Sequence, residues 1–190
     1  MSLINIFFIF LIINALILMN CTKKNHVLSI PDIYILETDE NLKRQNGYLL
    51  YEGSPFSGKL ISLHIEKDTA SLTPYWQGKE EGRAYQKYAN GMLKEERFYN
   101  KGWKQGTHQG WWENGKRRFV ANFKNDFYEG YLKEWYQSGQ LFRDFNYKDG
   151  QEEGRQTAWW ENGKVRQNYE IVNQRRYGLL GIKNCKSDVK

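Results

Sequence analysis

A repeat of 24 residues runs through most of this 190-residue chain and constrains its fold more than any other feature. One column of aromatic or apolar residues comprises Tyr51, Tyr75, Tyr99, Phe123, Tyr147 and Ile171, and a glycine column comprises Gly58, Gly82, Gly106, Gly130, Gly154 and Gly178. A second aromatic column of Tyr88, Trp112, Tyr136 and Trp160 precedes glycines at Gly91, Gly115, Gly139 and Gly163. Columns that keep one register exclude coincidence, and a period of this length is typical of stacked supersecondary units.

The clearest unit, residues 81–99, has the pattern of a β-hairpin. Two aromatic-rich runs, 82–89 and 92–99, flank the pair Asn90-Gly91. Asn-Gly accepts positive φ at both central positions of a type I′ turn, so the pair predicts a tight hairpin turn. The same prediction covers the equivalent turn residues Asn114, Gly115, Gly139, Asn162 and Gly163, with Ser138 once in place of asparagine. Residues 100–106 are predicted to form a return loop, because their glycines allow backbone freedom.

An isolated hairpin is marginally stable at best, so the units are expected to stack. We predict an all-β fold in which hairpins form an elongated, twisted single-sheet array over residues 47–185. The predicted units span 51–74, 75–98, 99–122, 123–146, 147–170 and, in part, 171–185. Both end units are atypical, with Glu66-Lys67 in place of Asn-Gly and a cap strand predicted at 177–180. Atypical ends are what a repeat array needs to stop further stacking.

The part of the chain ahead of the full repeats is less regular. Short apolar runs at 33–36 and 48–51 predict strands, and 59–65 predicts another. The polar stretch 39–46 is predicted to be a loop. Residues 52–58 are predicted to form a turn, in which Pro55 fixes φ.

The N-terminus predicts export. Residues 3–19 are apolar apart from Asn5 and Asn14, which suits a signal-peptide helix over 1–20. The sequence Leu18-Met19-Asn20-Cys21 resembles a bacterial lipobox, although Asn20 replaces the usual small residue. That resemblance implies a lipid on Cys21 and a place on the periplasmic side or the outer membrane of the cell envelope. The chain turns polar directly after Cys21, which predicts a tether and an irregular segment over 21–46. An uncleaved signal anchor and a processed soluble protein are the alternatives.

The chain has two cysteines, Cys21 and Cys185, the second just ahead of a predicted tail at 186–190. If Cys21 carries lipid, then Cys185 stands alone. A disulfide between the two is the alternative, because an exported protein permits it.

Patterns that carry chemistry are missing from the sequence. The three histidines, His26, His64 and His108, share no metal-ligand spacing, and no nucleophile or phosphate-binding motif occurs. Acidic residues recur with the repeat, as in 80–81 and 152–153, whereas catalytic carboxylates have individual tasks. We therefore expect no enzyme, cofactor or metal. The net charge of +6 is mildly basic, which would favour lipid headgroups or acidic glycans, and no nucleic-acid partner is expected.

Adjacent aromatic residues make a candidate binding face. Trp111, Trp135 and Trp159 each precede a member of the second aromatic column. Successive side chains of a strand point to opposite faces, so one ring of each pair packs and the other lies on the opposite face. We predict that Trp111, Trp135 and Trp159 stack on sugar rings or cover an apolar surface of a partner. The alternative is that both columns pack, with the outer one partly covered by Lys and Arg side chains.

The consensus Y-x-x-G-x-x-x-G-x-x-x-x-x-(W/Y)-x-x-N-G-x-(L/V)-x-x-x-x-x-Y resembles the bacterial MORN-variant repeat, found in proteins labelled YwqK-type antitoxins. Asp126, Gln174, Ser138 and Arg117 depart from it. The resemblance implies stacked β-hairpins, membrane association and protein contacts. The leading hypothesis is a non-catalytic, membrane-tethered binding or scaffolding module with a protein partner in the envelope. The alternatives are a toxin-neutralising partner and a cell-wall or glycan binder that uses the aromatic ladder.

Overall fold

The computed structural model describes residues 29–65 and 68–181. The predicted signal peptide, Cys21, Cys185, the tail and Glu66-Lys67 lie outside the described residues. Within the described ranges every regular element is a β-strand. The same ranges contain no helix of the length and apolarity that a membrane crossing requires.

The array is built from strands joined by short turns. The first nine strands are β1 (Tyr34–Leu36), β2 (Leu42–Gln45), β3 (Tyr48–Tyr51), β4 (Ser54–Pro55), β5 (Gly58–Leu63), β6 (Thr69–Trp76), β7 (Lys79–Glu80), β8 (Gly82–Lys87) and β9 (Leu93–Asn100). The next nine are β10 (Trp103–Lys104), β11 (Gly106–Trp111), β12 (Arg117–Lys124), β13 (Phe127–Trp135), β14 (Leu141–Lys148), β15 (Gln151–Glu152), β16 (Gly154–Trp159), β17 (Val165–Val172) and β18 (Arg175–Leu179).

One open sheet contains fifteen of these strands, in the order β1-β5-β6-β8-β9-β11-β12-β13-β14-β16-β17-β18. The short strands β7, β10 and β15 pair with β6, β9 and β14. From β5 onward all neighbours are antiparallel and consecutive in the chain, while β1 joins β5 in parallel. This arrangement confirms the predicted all-β fold of stacked hairpins in a single long sheet.

The hairpin turns at Asn90-Gly91 and its equivalents exist, but the predicted type I′ conformation is wrong. Gly91 has φ of 80°, whereas Asn90 does not have a positive φ. The amide of Gly91 donates to Tyr88 O at 2.9 Å and that of Tyr88 to Met92 O at 2.8 Å, which defines a three-residue loop closed by a glycine bulge. Asn90 Oδ1 accepts from Met92 N at 3.0 Å. The asparagine therefore serves through its side chain and not through a left-handed backbone.

The type I′ turns lie at the opposite edge of the sheet, in the segments predicted to be return loops. Lys101 and Gly102 both have positive φ, 52° and 85°, and they join β9 to β10 with Asn100 opposite Trp103. Equivalent two-residue turns occur at 46–47, 52–53, 77–78, 125–126, 149–150 and 173–174. The predicted loop 100–106 is therefore a tight turn and a short strand.

Backbone hydrogen bonds join successive type I′ turns along this edge. The amide of Gly102 donates to Glu80 O at 2.8 Å, and that of Gly150 donates to Tyr128 O at 3.0 Å. The same contact recurs from Gly78 to Phe56 and from Asp126 to Lys104. Each turn is thus bonded to the unit before it.

The prediction of a loop at 39–46 is wrong for half of the segment, since β2 occupies residues 42–45. β2, β3 and β4 form a separate three-stranded sheet, although β2 is polar and largely exposed. This sheet meets the array through Leu49 and Phe56, which pack against Leu60 and Tyr75. The amide of Leu49 donates to Gly78 O at 2.8 Å. The strands predicted at 33–36 and 48–51 are confirmed by β1 and β3.

The core lies on one face of the long sheet, along the middle of the strands. Its second cluster consists of Ala121, Leu132, Phe145 and Ala158, with Phe123, Tyr128 and Tyr147 packed against them. Rings continue along this face, from His108 to Phe123 with centroids 4.6 Å apart and from Phe123 to Tyr128 at the same separation. This core face is therefore an aromatic ladder flanked by small side chains.

In each full repeat, the strand that follows a type I′ turn carries a bulge at a Glu-Gly or Gln-Gly pair. There its register shifts relative to the strand before the turn. Tyr99 pairs with Lys104 on one side of the bulge, and Glu96 pairs with Gln109 on the other. Glu81 Oε2, at the equivalent pair of the preceding unit, accepts from Lys101 N at 2.7 Å. Glu129 Oε2 does the same for Asp149 N at 2.9 Å. These repeated carboxylates therefore hold the next turn.

Candidate functional site

Trp111, Trp135 and Trp159 end β11, β13 and β16, and strand alternation places them on the face opposite the core. All three are half-buried. Each faces a residue across its hairpin, Arg117, Leu141 or Val165, at a point where the register shifts by one. The Arg117 guanidinium lies 4.8 Å from the centroid of the Trp111 ring. The three rings thus form a regular column with a spacing of one unit, and this column is the predicted partner surface.

The second aromatic column packs between units. Tyr88 Oη donates to Trp111 O at 2.9 Å, and Trp112 Nε1 donates to Trp135 O at 3.1 Å. Tyr136 Oη donates in the same way to Trp159 O at 3.1 Å. Tyr88, Trp112 and Tyr136 therefore each anchor the backbone of the first-column tryptophan in the following unit. Both columns are half-buried apart from Trp160, which is 49% exposed, so they differ in the face of the sheet on which they lie and not in burial.

Cations cover most rings of the second column. Lys94 Nζ lies 5.8 Å from the Tyr88 ring centroid, Arg118 lies 5.8 Å from that of Trp112, and Arg166 lies 4.7 Å from that of Trp160. The equivalent position beside Tyr136 is Phe142, whose ring centroid is 5.1 Å away. The unit that contains Tyr136 therefore presents an aromatic pair where its neighbours present a cation on a ring.

A groove of about 660 Å³ opens at this place. It is lined by Trp112, Arg118, Phe119, Glu134, Trp135, Tyr136, Gln137, Phe142 and Glu161. Phe119 lies directly over Gly110, where a Cβ would collide with the ring, so glycine is required for the ring to lie flat on the sheet. Sequence reasoning missed Phe119 and Phe142. Both interrupt their columns, in which the other members are Glu95, Arg143 and Gln167, and Lys94, Arg118 and Arg166.

A smaller cavity of about 200 Å³ lies toward the N-terminal end of the core face. Its charged lining includes Glu80, Glu95 and Arg97. Burial raises the pKa of Glu80, and Arg97 pairs with Glu95 at 3.1 Å. Glu95 is also bound by Arg118, so the acids of this cavity are held in ion pairs or adjoin cations. The arrangement is that of a structural charge cluster.

The histidines in the described residues do not form a metal site. His108 is 2% exposed. Its Nε2 lies 2.9 Å from Phe98 O and 3.2 Å from Phe98 N, and Phe98 lies opposite the bulge in the strand that carries His108. Burial, together with Arg97 and Lys104, lowers the pKa of His108, so the ring is neutral near pH 7. Across residues 29–65 and 68–181, His, Cys, Asp and Glu side chains form no group able to hold a metal ion.

Four consecutive segments of the chain, residues 80–101, 104–125, 128–149 and 152–173, match a family model described as MORN repeat variant. Each match begins just after one type I′ turn and ends within the next, so it encloses one three-residue loop. No curated protein and no solved structure matches the chain.

Proposed function

Because residues 80–173 form an array of four variant MORN repeats, we propose that this chain is a non-catalytic binding module, tethered to a membrane of the bacterial envelope, that holds a protein partner. The register of Trp111, Trp135 and Trp159 is the observation that carries the proposal. Three half-buried indoles point away from the core at a fixed spacing of one unit. Aromatic side chains in such settings are enriched at protein interfaces.

The repeated acidic residues support a non-catalytic role. Glu81 and Glu129 each accept a hydrogen bond from the turn of the following unit. Glu95 is 7% exposed and paired with Arg97 and Arg118. These carboxylates thus have structural partners within the repeat, which supports a structural role for the recurring acids.

The partner surface is tested by replacing two of its tryptophans with the residue that another unit carries. Lys87 occupies the same column in another unit, so the fold already accepts lysine at this position. The test is a double variant with Trp111→Lys and Trp159→Lys. We expect the double variant to keep its thermal unfolding midpoint and to lose cross-linked partners that the wild-type chain captures from the envelope. Aromatic anchors of interfaces commonly contribute 2 kcal/mol or more, roughly a thirtyfold change in affinity.

Trp103→Lys is the matched control, because Trp103 is 52% exposed and the equivalent residue in the preceding unit is Lys79. It makes the same chemical change at the other edge of the sheet. Equal capture by the wild-type chain and the Trp111/Trp159 variant would reject the surface. The identity of the captured protein separates a scaffold from a toxin-neutralising partner, since the latter predicts a toxin.

The tether is proposed from the lipobox-like sequence that ends in Cys21. We expect the wild-type protein to fractionate with membranes and its mature N-terminal peptide to carry a diacylglyceryl group on Cys21. Cys21→Ser should abolish the lipid, while Cys185→Ser, the matched control, should keep it. A mature chain that begins at Met1 would overturn processing at Cys21. Loss of the mature protein in both cysteine variants would favour a disulfide between Cys21 and Cys185.

A further inference from the structure

We propose that the groove beside Trp112 and Tyr136 binds a neutral oligosaccharide. The groove lies on the core face, at the edge that carries the three-residue loops. Trp135 belongs both to its lining and to the partner surface, but Trp111 and Trp159 do not line it. The sugar site therefore shares Trp135 with the partner surface, and variants of Trp111 and Trp159 test the partner surface without changing the groove lining.

The shape and lining of the groove suit a small ligand. Its volume of about 660 Å³ lies within the range of ligand sites, which are mostly apolar with a few placed polar groups. Rings of Trp112 and Phe119 come from one unit, and those of Tyr136 and Phe142 come from the next. A pyranose ring has a face of C–H groups that packs on the negative face of an aromatic ring. Tyr136 and Phe142 provide the open platform for a sugar ring, because Arg118 already lies over Trp112 and Phe119.

The charges in the groove favour a neutral ligand. Arg118 lies over Trp112 and Phe119, with the Phe119 centroid 5.2 Å away, so a cationic ligand would meet a cation already on those rings. Glu134 and Glu161 line the same groove and disfavour an anion. A hydroxyl group both donates and accepts hydrogen bonds, and it therefore satisfies guanidinium and carboxylate side chains alike. A neutral, polyhydroxylated molecule matches this mixture.

The polar groups of the groove are held in place before a ligand arrives. Glu95 binds the Arg118 guanidinium at 3.1 Å, and Arg143 binds Glu134. Arg118 Nε is buried and has no acceptor among the described residues. Fixed side chains bind at a smaller entropic cost, which favours affinity.

The groove is a local departure from the repeat, which distinguishes it from ordinary packing. At the position of Phe142 the other full units carry Lys94, Arg118 and Arg166. A cation covers the ring there, whereas Phe142 leaves an aromatic wall beside Tyr136. Phe142→Arg therefore restores the repeat pattern and should cover the platform without loss of the fold.

The experiment measures binding of cellotetraose, chitotetraose and maltotetraose to the full chain by isothermal titration calorimetry and tryptophan fluorescence. We expect saturable binding of at least one of the three by the wild-type protein. The single variant Phe142→Arg should weaken the affinity for the sugar about tenfold or more, as loss of one aromatic contact implies. The double variant that combines Tyr136→Phe with Phe142→Arg should weaken it in the same way. Circular dichroism and the unfolding midpoint show whether each variant is folded.

Trp159→Lys is the matched control and should bind the sugar like the wild-type protein. Binding of none of the three sugars would overturn the proposal, as would an unchanged affinity in folded Phe142→Arg. Loss of binding in Trp159→Lys would place the sugar on the opposite face and also overturn it. A proline-rich peptide that binds the groove when no sugar does would make it a peptide site. Failure of partner capture in the Trp111/Trp159 variant is a separate readout and bears only on the partner surface.

Discussion

His108 and Gln156 occupy the same column of the repeat and satisfy the backbone opposite a bulge. Gln156 accepts from Asn146 N at 3.0 Å and donates to Asn146 O at 2.8 Å, and both side chains are fully buried. His108 faces Phe98 with one atom, Nε2, which either accepts from Phe98 N at 3.2 Å or donates to Phe98 O at 2.9 Å. In the preceding unit the column residue is Ala84 and the residue ten positions earlier is Pro74, which has no N–H to satisfy. Leu132 occupies the column in the unit between His108 and Gln156, so the polar side chain belongs to two units and not to the whole repeat.

His108→Ala should destabilise the protein by about 2 kcal/mol, because buried polar groups of Phe98 lose their partner. His108→Gln should be at least as stable as the wild-type protein, since an amide donates and accepts at once, as Gln156 does. Urea unfolding of the two variants at pH 7.5 checks both expectations. A glutamine variant as unstable as the alanine variant would contradict this account of the column.

The stability contributed by His108 depends on pH. Its pKa in the folded protein is lowered from the ordinary value of 6.5 by burial, so the unfolded chain binds the proton first as the pH falls. Stability is therefore full above about pH 6.5 and declines as the pH drops through the interval down to the folded pKa. We expect the wild-type protein to lose more stability than His108→Gln between pH 7.5 and 5.5. An equal loss would show that other groups dominate.

At the scale of the turns, glycine has different importance at different columns. Gly150 has φ of 80°, and a Cβ there would lie 2.7 Å from the Phe127 ring. Gly154 has φ of 63° and open space around it. Gly154→Ala should cost about 1 kcal/mol from the left-handed conformation alone, and Gly150→Ala should cost more because it also displaces Phe127.

Thermal unfolding of the two alanine variants checks this order. Phe127→Ala in the Gly150→Ala background isolates the collision, and it should recover the difference between the two glycine positions. If both glycine variants lose the same stability, then Phe127 does not rest on the turn.

The sequence predicts the hairpins and their stacking because period and aromatic spacing are direct consequences of strand geometry. It does not predict which turns are type I′ turns and which are three-residue loops. Lys101-Gly102 has no asparagine and still adopts the type I′ conformation, while Asn90 uses its side chain on Met92 N. Strand β2 was missed because its side chains are polar. Its extended conformation depends on antiparallel pairing with β3, which the sequence of β2 alone does not show. The tryptophan column follows from alternation, but the groove depends on Phe119 lying on Gly110.

At the scale of the whole molecule, stability should fall toward the C-terminal edge. All five residues of β18 are exposed, including Tyr177, and among residues 29–65 and 68–181 its one neighbouring strand is β17. At the other end the small sheet buries Leu49 and Phe56. In a repeat array each unit is stabilised mainly by its neighbours.

Hydrogen exchange followed by mass spectrometry should therefore show the fastest amide exchange in β18 and slow exchange from β9 to β14. Leu49→Ala should remove 2–5 kcal/mol from the N-terminal end, roughly the usual cost of such a core deletion, and speed exchange there first. Uniform exchange along the sheet would contradict a nearest-neighbour description.

The two edges of the array are joined differently, with consequences for its mechanics. Main-chain bonds between successive type I′ turns link one edge, and aromatic side chains that donate to the next unit link the other. A side chain follows a change in distance by rotating, whereas a main-chain bond breaks. The array should therefore bend by changing the spacing of its units at the edge of the three-residue loops, where the groove and the tryptophans lie. The edge of the type I′ turns should keep its spacing.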